Sequence, residues 1–208
     1  MCRDYRITKY DDEFGNIEEK KKEYEKELRK AHPIAKDLHK CISPNEVEKK
    51  RFMNVYNCRC SYCGIPLEYN HITQFEIDHI VPSSSFATKT EAGYLGNLAL
   101  ACHNCNHDKS DLQLDLSVMH PDTGIGKVYY RDDLYYIKIS PKYESNPYVV
   151  EFYKKLNFGG SLKRLDYILM NLSGMQRVFR EKKGDNNPRI DQAINFLQKK
   201  RNSCGPKD

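Results

Sequence analysis

Two Cys-x-x-Cys pairs, Cys60/Cys63 and Cys102/Cys105, stand on either side of an Asp78-His79-Ile80-Val81-Pro82 segment. Each pair supplies two thiolates about one turn apart, and four thiolates fill the tetrahedral shell that zinc takes in a structural site. The chain must then fold so that residues 60–63 and 102–105 meet around one ion. Such a shell keeps no open position, so any chemistry lies with the residues between and just after the pairs: Asp78, His79, Asn97 and Asn106.

Eight cysteines in 208 residues could also be read as a disulfide framework. The paired spacing, the length, and an N-terminus without an apolar leader favour zinc over disulfides. Cys2, Cys41, Cys58 and Cys204 have no comparable spacing and read as free thiols. Cys58-Arg59-Cys60 offers a competing ligand, but only Cys60 makes the two-residue spacing with Cys63, and Gly64 permits the tight turn that follows.

Charged residues make up 30% of the chain and hydrophobic ones 39%. That composition implies a surface-rich, cytoplasmic protein without a single large apolar core. No stretch reaches the roughly 18 apolar residues that cross a bilayer, which excludes a membrane partner from the expectation. The net charge of +5 is unevenly spread: Ser161 to Arg201 holds ten Lys/Arg against four acids, and the remainder is close to neutral. A basic C-terminal stretch is either a solvated helix face or a surface for a polyanion.

The expected organisation is α+β. Residues 1–50 form a helical N-terminal extension, 51–115 a core, 116–160 a hairpin-and-helix insertion, and 161–208 a basic helical region. Ile17 to Lys30 is dense in helix formers, with Glu and Lys at supportive spacings and a narrow apolar stripe. Ser43-Pro44-Asn45-Glu46 reads as an N-cap with Pro at the first helical position. Gln74 to Val81 alternates as a strand, Leu98 to Ala101 returns antiparallel, and a helix is expected from Asn106. Lys127 to Ser140 reads as a Tyr-rich hairpin, and Pro147 to Asn157 as a helix stopped by Gly159 or Gly160. Two basic helices follow, the last from about Pro188 to Lys200.

Cys60-x-x-Cys63, Asp78-His79-Ile80-Val81-Pro82, Asn97-Leu98 and Cys102-x-x-Cys105-Asn106-x-x-Lys109 together resemble an HNH endonuclease of the ββα-metal type, in its zinc-stapled branch. The resemblance covers about Cys60 to Ser110. It implies a small ββα-metal core with a tetracysteine zinc site, and a metal-dependent hydrolase of DNA phosphodiester bonds. Asp-His before Ile-Val-Pro is also similar to the HNH nuclease domain of CRISPR effectors. In this pattern His79 is the general base, suited by its ordinary pKa, and Asn97 orients it. Asp78 and Asn106 are the oxygen ligands of a catalytic divalent ion. Asn106 stands where the family name has its last His, and an amide oxygen is a harder ligand, which favours Mg²⁺ or Mn²⁺ there. His103 and His107 flank Asn106 as alternative ligands, and Glu76 shares a strand face with Asp78.

Lys109, Lys163, Arg164, Arg177 and Arg180 are the candidates for contact with nucleic acid. Standalone proteins of this kind resemble effectors of anti-phage or restriction systems, sometimes with a partner ATPase. The rival reading is a non-catalytic zinc module that binds nucleic acid or a partner protein. What separates the two is the full set Asp78, His79, Asn97 and Asn106, which binding alone does not need.

Overall fold

The computed structural model describes residues 3–67 and 75–203. Cys2, Gln74 and Cys204 lie outside the described residues. In chain order the elements are α1 (Ile17–Ala31), α2 (Leu38–Ile42), α3 (Glu46–Val55), β1 (Phe75–His79), α4 (Lys89–Ala92), β2 (Leu98–Cys102), α5 (His103–Lys109), α6 (Leu116–Met119), β3 (Tyr129–Arg131), β4 (Ile137–Ile139), α7 (Pro147–Lys155), α8 (Ser161–Lys183) and α9 (Pro188–Ser203). The fold is α+β, with two small antiparallel sheets, β1–β2 and β3–β4.

The Asp78-His79 segment and the second Cys pair come together in the β1–β2–α5 unit. Phe75 pairs with Cys102, Ile77 with Leu100 and His79 with Leu98. β1 alternates imperfectly between buried and half-buried residues, whereas every residue of β2 is buried. Leu and Ala are modest strand formers, so it is burial on both faces that holds Leu98–Cys102 extended. α5 begins directly after β2, with Cys102 as its N-cap. The helix therefore starts three residues earlier than expected, because Cys105 must lie in its first turn to face Cys102.

The N-terminal helices pack beside this unit. α1 buries Ile17, Lys21, Tyr24 and Leu28, one stripe along its length, and Asn16 caps it through the Glu19 amide. Tyr24 meets Phe52 of α3 with ring centroids 5.7 Å apart. The start of α3 corrects the expected cap. Asn45, not Ser43, accepts from the Val47 and Glu48 amides, while Ser43 closes a short helix, α2, capped at its other end by Asp37.

The β3–β4 hairpin packs its aromatic side inward, with Tyr129 against Tyr5, Phe152 and Phe158. α7 ends at Lys155 with Leu156 as its C-cap, and Asn157 rather than a glycine takes the left-handed backbone that follows (φ 47°). Gly160 instead precedes α8 as its N-cap. α8 buries Leu165, Leu169 and Met170, and α9 lies along it with none of its described residues buried. Gln176 of α8 ties the pair together through Asn187 and Asp191.

One apolar core runs from Tyr5 through β1 and β2 to Phe158. This overturns the expectation of no single large core. Tyr5, Tyr56, Tyr62, Tyr129, Phe52, Phe75, Phe152 and Phe158 are among the largest fully buried side chains. Aromatic rings contribute much apolar area per residue, so a modest hydrophobic fraction can still close a core.

Candidate active site

The first Cys pair sits on a tight knuckle. The Gly64 amide donates to the Cys60 carbonyl at 2.9 Å, the Cys60 amide to Ile65 at 3.0 Å, and the Ser61 amide to Leu100 of β2 at 2.8 Å. Gly64 has φ +78°, and a Cβ there would lie 1.9 Å from the Arg6 carbonyl oxygen. Only glycine fits, because the N-terminal segment crosses the knuckle at this point. The Tyr5 hydroxyl donates to the Tyr62 carbonyl, and the buried Arg6 guanidinium donates to Ser61 and Pro121 carbonyls.

Cys60, Cys63, Cys102 and Cys105 are all buried, and their sulfurs lie within 4.8 Å of one another. The Cys63 and Cys102 sulfurs are 3.8 Å apart, which matches the edge of a tetrahedron built on Zn–S bonds of about 2.3 Å. The donor set therefore fits a structural zinc ion. Cys58 stands apart: it is half-buried, with its thiol on the Asn54 side-chain oxygen at 3.3 Å. The knuckle thus contributes Cys60, not Cys58. The buried Lys163 ammonium of α8 donates to the Cys105 sulfur at 3.4 Å. A zinc ion held by four thiolates would carry net negative charge, which this cation would compensate.

Beside the thiolates, β1 and α5 present a polar face. Asp78 is buried, 6% exposed, and accepts from the Tyr62 hydroxyl and from Lys109 Nζ at 3.1 Å. Burial pushes its carboxyl above the ordinary carboxylate range, against the pull of Lys109 and the Tyr62 bond. Lys109 also donates to the His79 carbonyl at 2.8 Å. One turn earlier on α5, the Asn106 amide donates to Glu76, whose other oxygen meets His103 Nδ1 at 2.7 Å. Burial opposes ionisation of Glu76, but the bonds from His103 and Asn106 outweigh it and hold the carboxyl below the usual range. His107 is exposed and turned to Asp108.

His79 is half-buried and stacks on His39 of α2, with ring centroids 4.6 Å apart. Burial, then the neighbouring His39, lower its pKa to about 4. The imidazole is neutral near pH 7 and free to accept a proton. Asn97 is buried, and its side chain accepts from the Val81 amide at 2.8 Å while donating to the Val81 and Ala92 carbonyls at 3.1 and 2.9 Å. Its own carbonyl accepts from the Ile80 amide at 2.8 Å. Asn97 thus grips the two residues that follow His79 rather than the imidazole itself.

Residues 60–112 match the family model described as HNH endonuclease. The HNH likeness thus lies in this one segment. Two curated relatives match it, both named CRISPR-associated endonuclease Cas9. The one from Corynebacterium diphtheriae is 35% identical over 71 residues, covering 33% of this chain and 6% of the relative. The one from Actinomyces naeslundii is 33% identical over 70 residues, covering 34% of this chain and 6% of the relative. The chain thus spans only a small fraction of the length of the relatives it matches. No solved structure matches it.

Around the HNH domain, the structure corrects two expected nucleic-acid contacts. Lys109 is 1% exposed and bound to Asp78 and His79, and Lys163 is 8% exposed and bound to Cys105. Neither ammonium faces solvent, because buried carboxylate and thiolate groups draw them inward. Arg164 donates to the Leu134 carbonyl at 2.7 Å and lies over Tyr136, Arg177 is exposed and donates to Tyr10, and Arg180 is exposed. Sequence reasoning missed the contacts of Tyr62, His39 and Lys163. No spacing marks His39 or Lys163, but Tyr62 lies inside the first Cys pair, a position that had to face the core.

Proposed function

We propose that this chain is a divalent-metal-dependent endonuclease that hydrolyses DNA phosphodiester bonds, with the tetracysteine zinc site as its frame. The observation that carries the reading is a half-buried His79, its pKa lowered to about 4, on the same short strand as Asp78 and Glu76 and inside the segment that matches the HNH family. Asp78, Asn106 and the adjacent Glu76 supply hard oxygen donors from β1 and α5, a set that suits Mg²⁺ or Mn²⁺. Asp78 and Asn106 would hold the ion, which when bound stabilises charge on the departing 3′ oxygen.

The chain's own residues do the rest. His79 takes the proton of the attacking water at its unprotonated ring nitrogen. Lys109 ties the His79 carbonyl to Asp78, so the base and the carboxylate hold a fixed spacing along β1. Asn97 anchors Ile80 and Val81, which fixes the exit of the chain from His79. Exposed Arg177 and Arg180 on α8 offer phosphate contacts that position a duplex without reading its sequence. The two relatives are named CRISPR-associated endonucleases, which supports the endonuclease reading; within this proposal the substrate is DNA, the setting is an anti-phage or restriction system, and the partner is a protein such as an ATPase.

The rival is a zinc module that binds DNA without cutting it, and the buried Asp78–Lys109 pair favours it, since that carboxylate already has a cation. Titrating Mg²⁺ into zinc-loaded protein and supercoiled plasmid separates the two. The nuclease reading expects nicking that appears with Mg²⁺ and saturates. Binding of plasmid with no nicking at any Mg²⁺ or Mn²⁺ concentration supports the rival instead.

A further inference from the structure

The N-terminal region reaches into the HNH site through α2. His39 lies nearly flat against His79, with ring planes 26° apart and centroids at 4.6 Å. Its Nε2 is 3.1 Å from the Ile77 carbonyl. A carbonyl only accepts, so Nε2 carries the hydrogen and the tautomer of His39 is set. Ile77 lies two residues before His79 on β1, so one imidazole is pinned to the strand that carries the other.

α2 is itself held in place. The Leu38 amide donates to the Gly93 carbonyl at 2.9 Å, and Leu38 and Ile42 are fully buried. Gly93 has no room for a side chain, since a Cβ would lie 2.1 Å from an Asp37 carboxylate oxygen. Among the described residues, the ring nitrogens of His79 make no hydrogen bond to protein. A base in a nuclease needs a partner that fixes its plane, and here the partner is a ring face rather than an acceptor.

We propose that His39 is a positioning residue for His79, supplied from outside the segment that matches the HNH family. This rests on the reading of His79 as general base. The flat His39 ring confines the His79 imidazole to one orientation, and the bond to Ile77 stops the His39 ring from turning away. A phenylalanine at 39 would keep the face and lose the bond. A glutamine would keep a donor and lose the face.

Plasmid nicking in Mg²⁺ by wild type, His39→Ala, His39→Phe and His39→Gln tests this, with zinc content and thermal midpoint measured on each. His39→Ala and His39→Gln are expected to lower kcat about 10- to 100-fold, as misorientation of a reacting group does, at unchanged KM and zinc content. His39→Phe should recover most of the loss. In wild-type protein, NMR should show a direct ring-to-ring contact between His39 and His79, a readout independent of cleavage. A His39→Ala protein that cuts as fast as wild type, a His39→Phe protein no better than His39→Ala, or the absence of that contact overturns the role of His39. A wild type that does not cut at all overturns the nuclease reading itself, while the ring contact still reports on the stack.

Discussion

Burial and the adjacent His39 hold the His79 ring at a pKa of about 4, below its ordinary 6.5. The unfolded chain therefore takes up this proton first as pH falls, and the stability tied to a neutral His79 is present above about pH 6.5 and lost on the way to 4. Because the ring is half-exposed, solvent screens the effect to about 1 kcal/mol. Urea unfolding at a series of pH values should show wild type losing about that much more than His79→Gln across this window. Equal losses would contradict the burial argument. At Lys163 the charge faces sulfur rather than water. Lys163→Met should weaken zinc binding about 10- to 100-fold, as loss of a partner behind a metal ligand does, measured by competition with a chromophoric chelator. An unchanged affinity would mean that the ammonium at 3.4 Å from Cys105 does not support the thiolates.

Among the elements, the β1–β2–α5 unit was the most legible in the sequence, because four cysteines and a short Asp-His strand leave few ways to connect them. α2 was not. Five residues are too few for a helical period to show, and Ser43-Pro44 resembles a helix start until Asn45 is seen to bind both the Val47 and Glu48 amides. The loop after β1 was legible only as polar. One buried side chain, Asn97, ties its start to its end with three hydrogen bonds to Val81 and Ala92. Asn97→Ala leaves buried backbone groups unpaired and should cost about 2–3 kcal/mol of stability in denaturant unfolding. A loss within the error of the measurement would show that water replaces those bonds.

Over the whole molecule, counting charge misjudged where the cations point. The basic stretch from Ser161 to Arg201 suggested one phosphate-binding face, yet Lys163 turns inward to Cys105 and Arg201 to the buried Asp166. A charge count cannot see which cations buried anions recruit. The surface proposed for DNA on α8 is then narrower, with Arg177 and Arg180 among its exposed cations. Duplex affinity should fall log-linearly with salt, and Arg177→Ala with Arg180→Ala should make that slope shallower by about 2. A slope identical to wild type would move the DNA face elsewhere. The proposed function divides the chain into a zinc-framed core and a separate, oxygen-lined centre between β1 and α5, and one comparison tests that division directly. His79→Ala and wild type, prepared alike, are assayed for bound zinc and for Mg²⁺-dependent nicking of supercoiled plasmid. The expected result is one zinc per chain in both and a nicking rate at least about 100-fold lower in His79→Ala. Equal nicking rates, or loss of zinc together with activity, would contradict it.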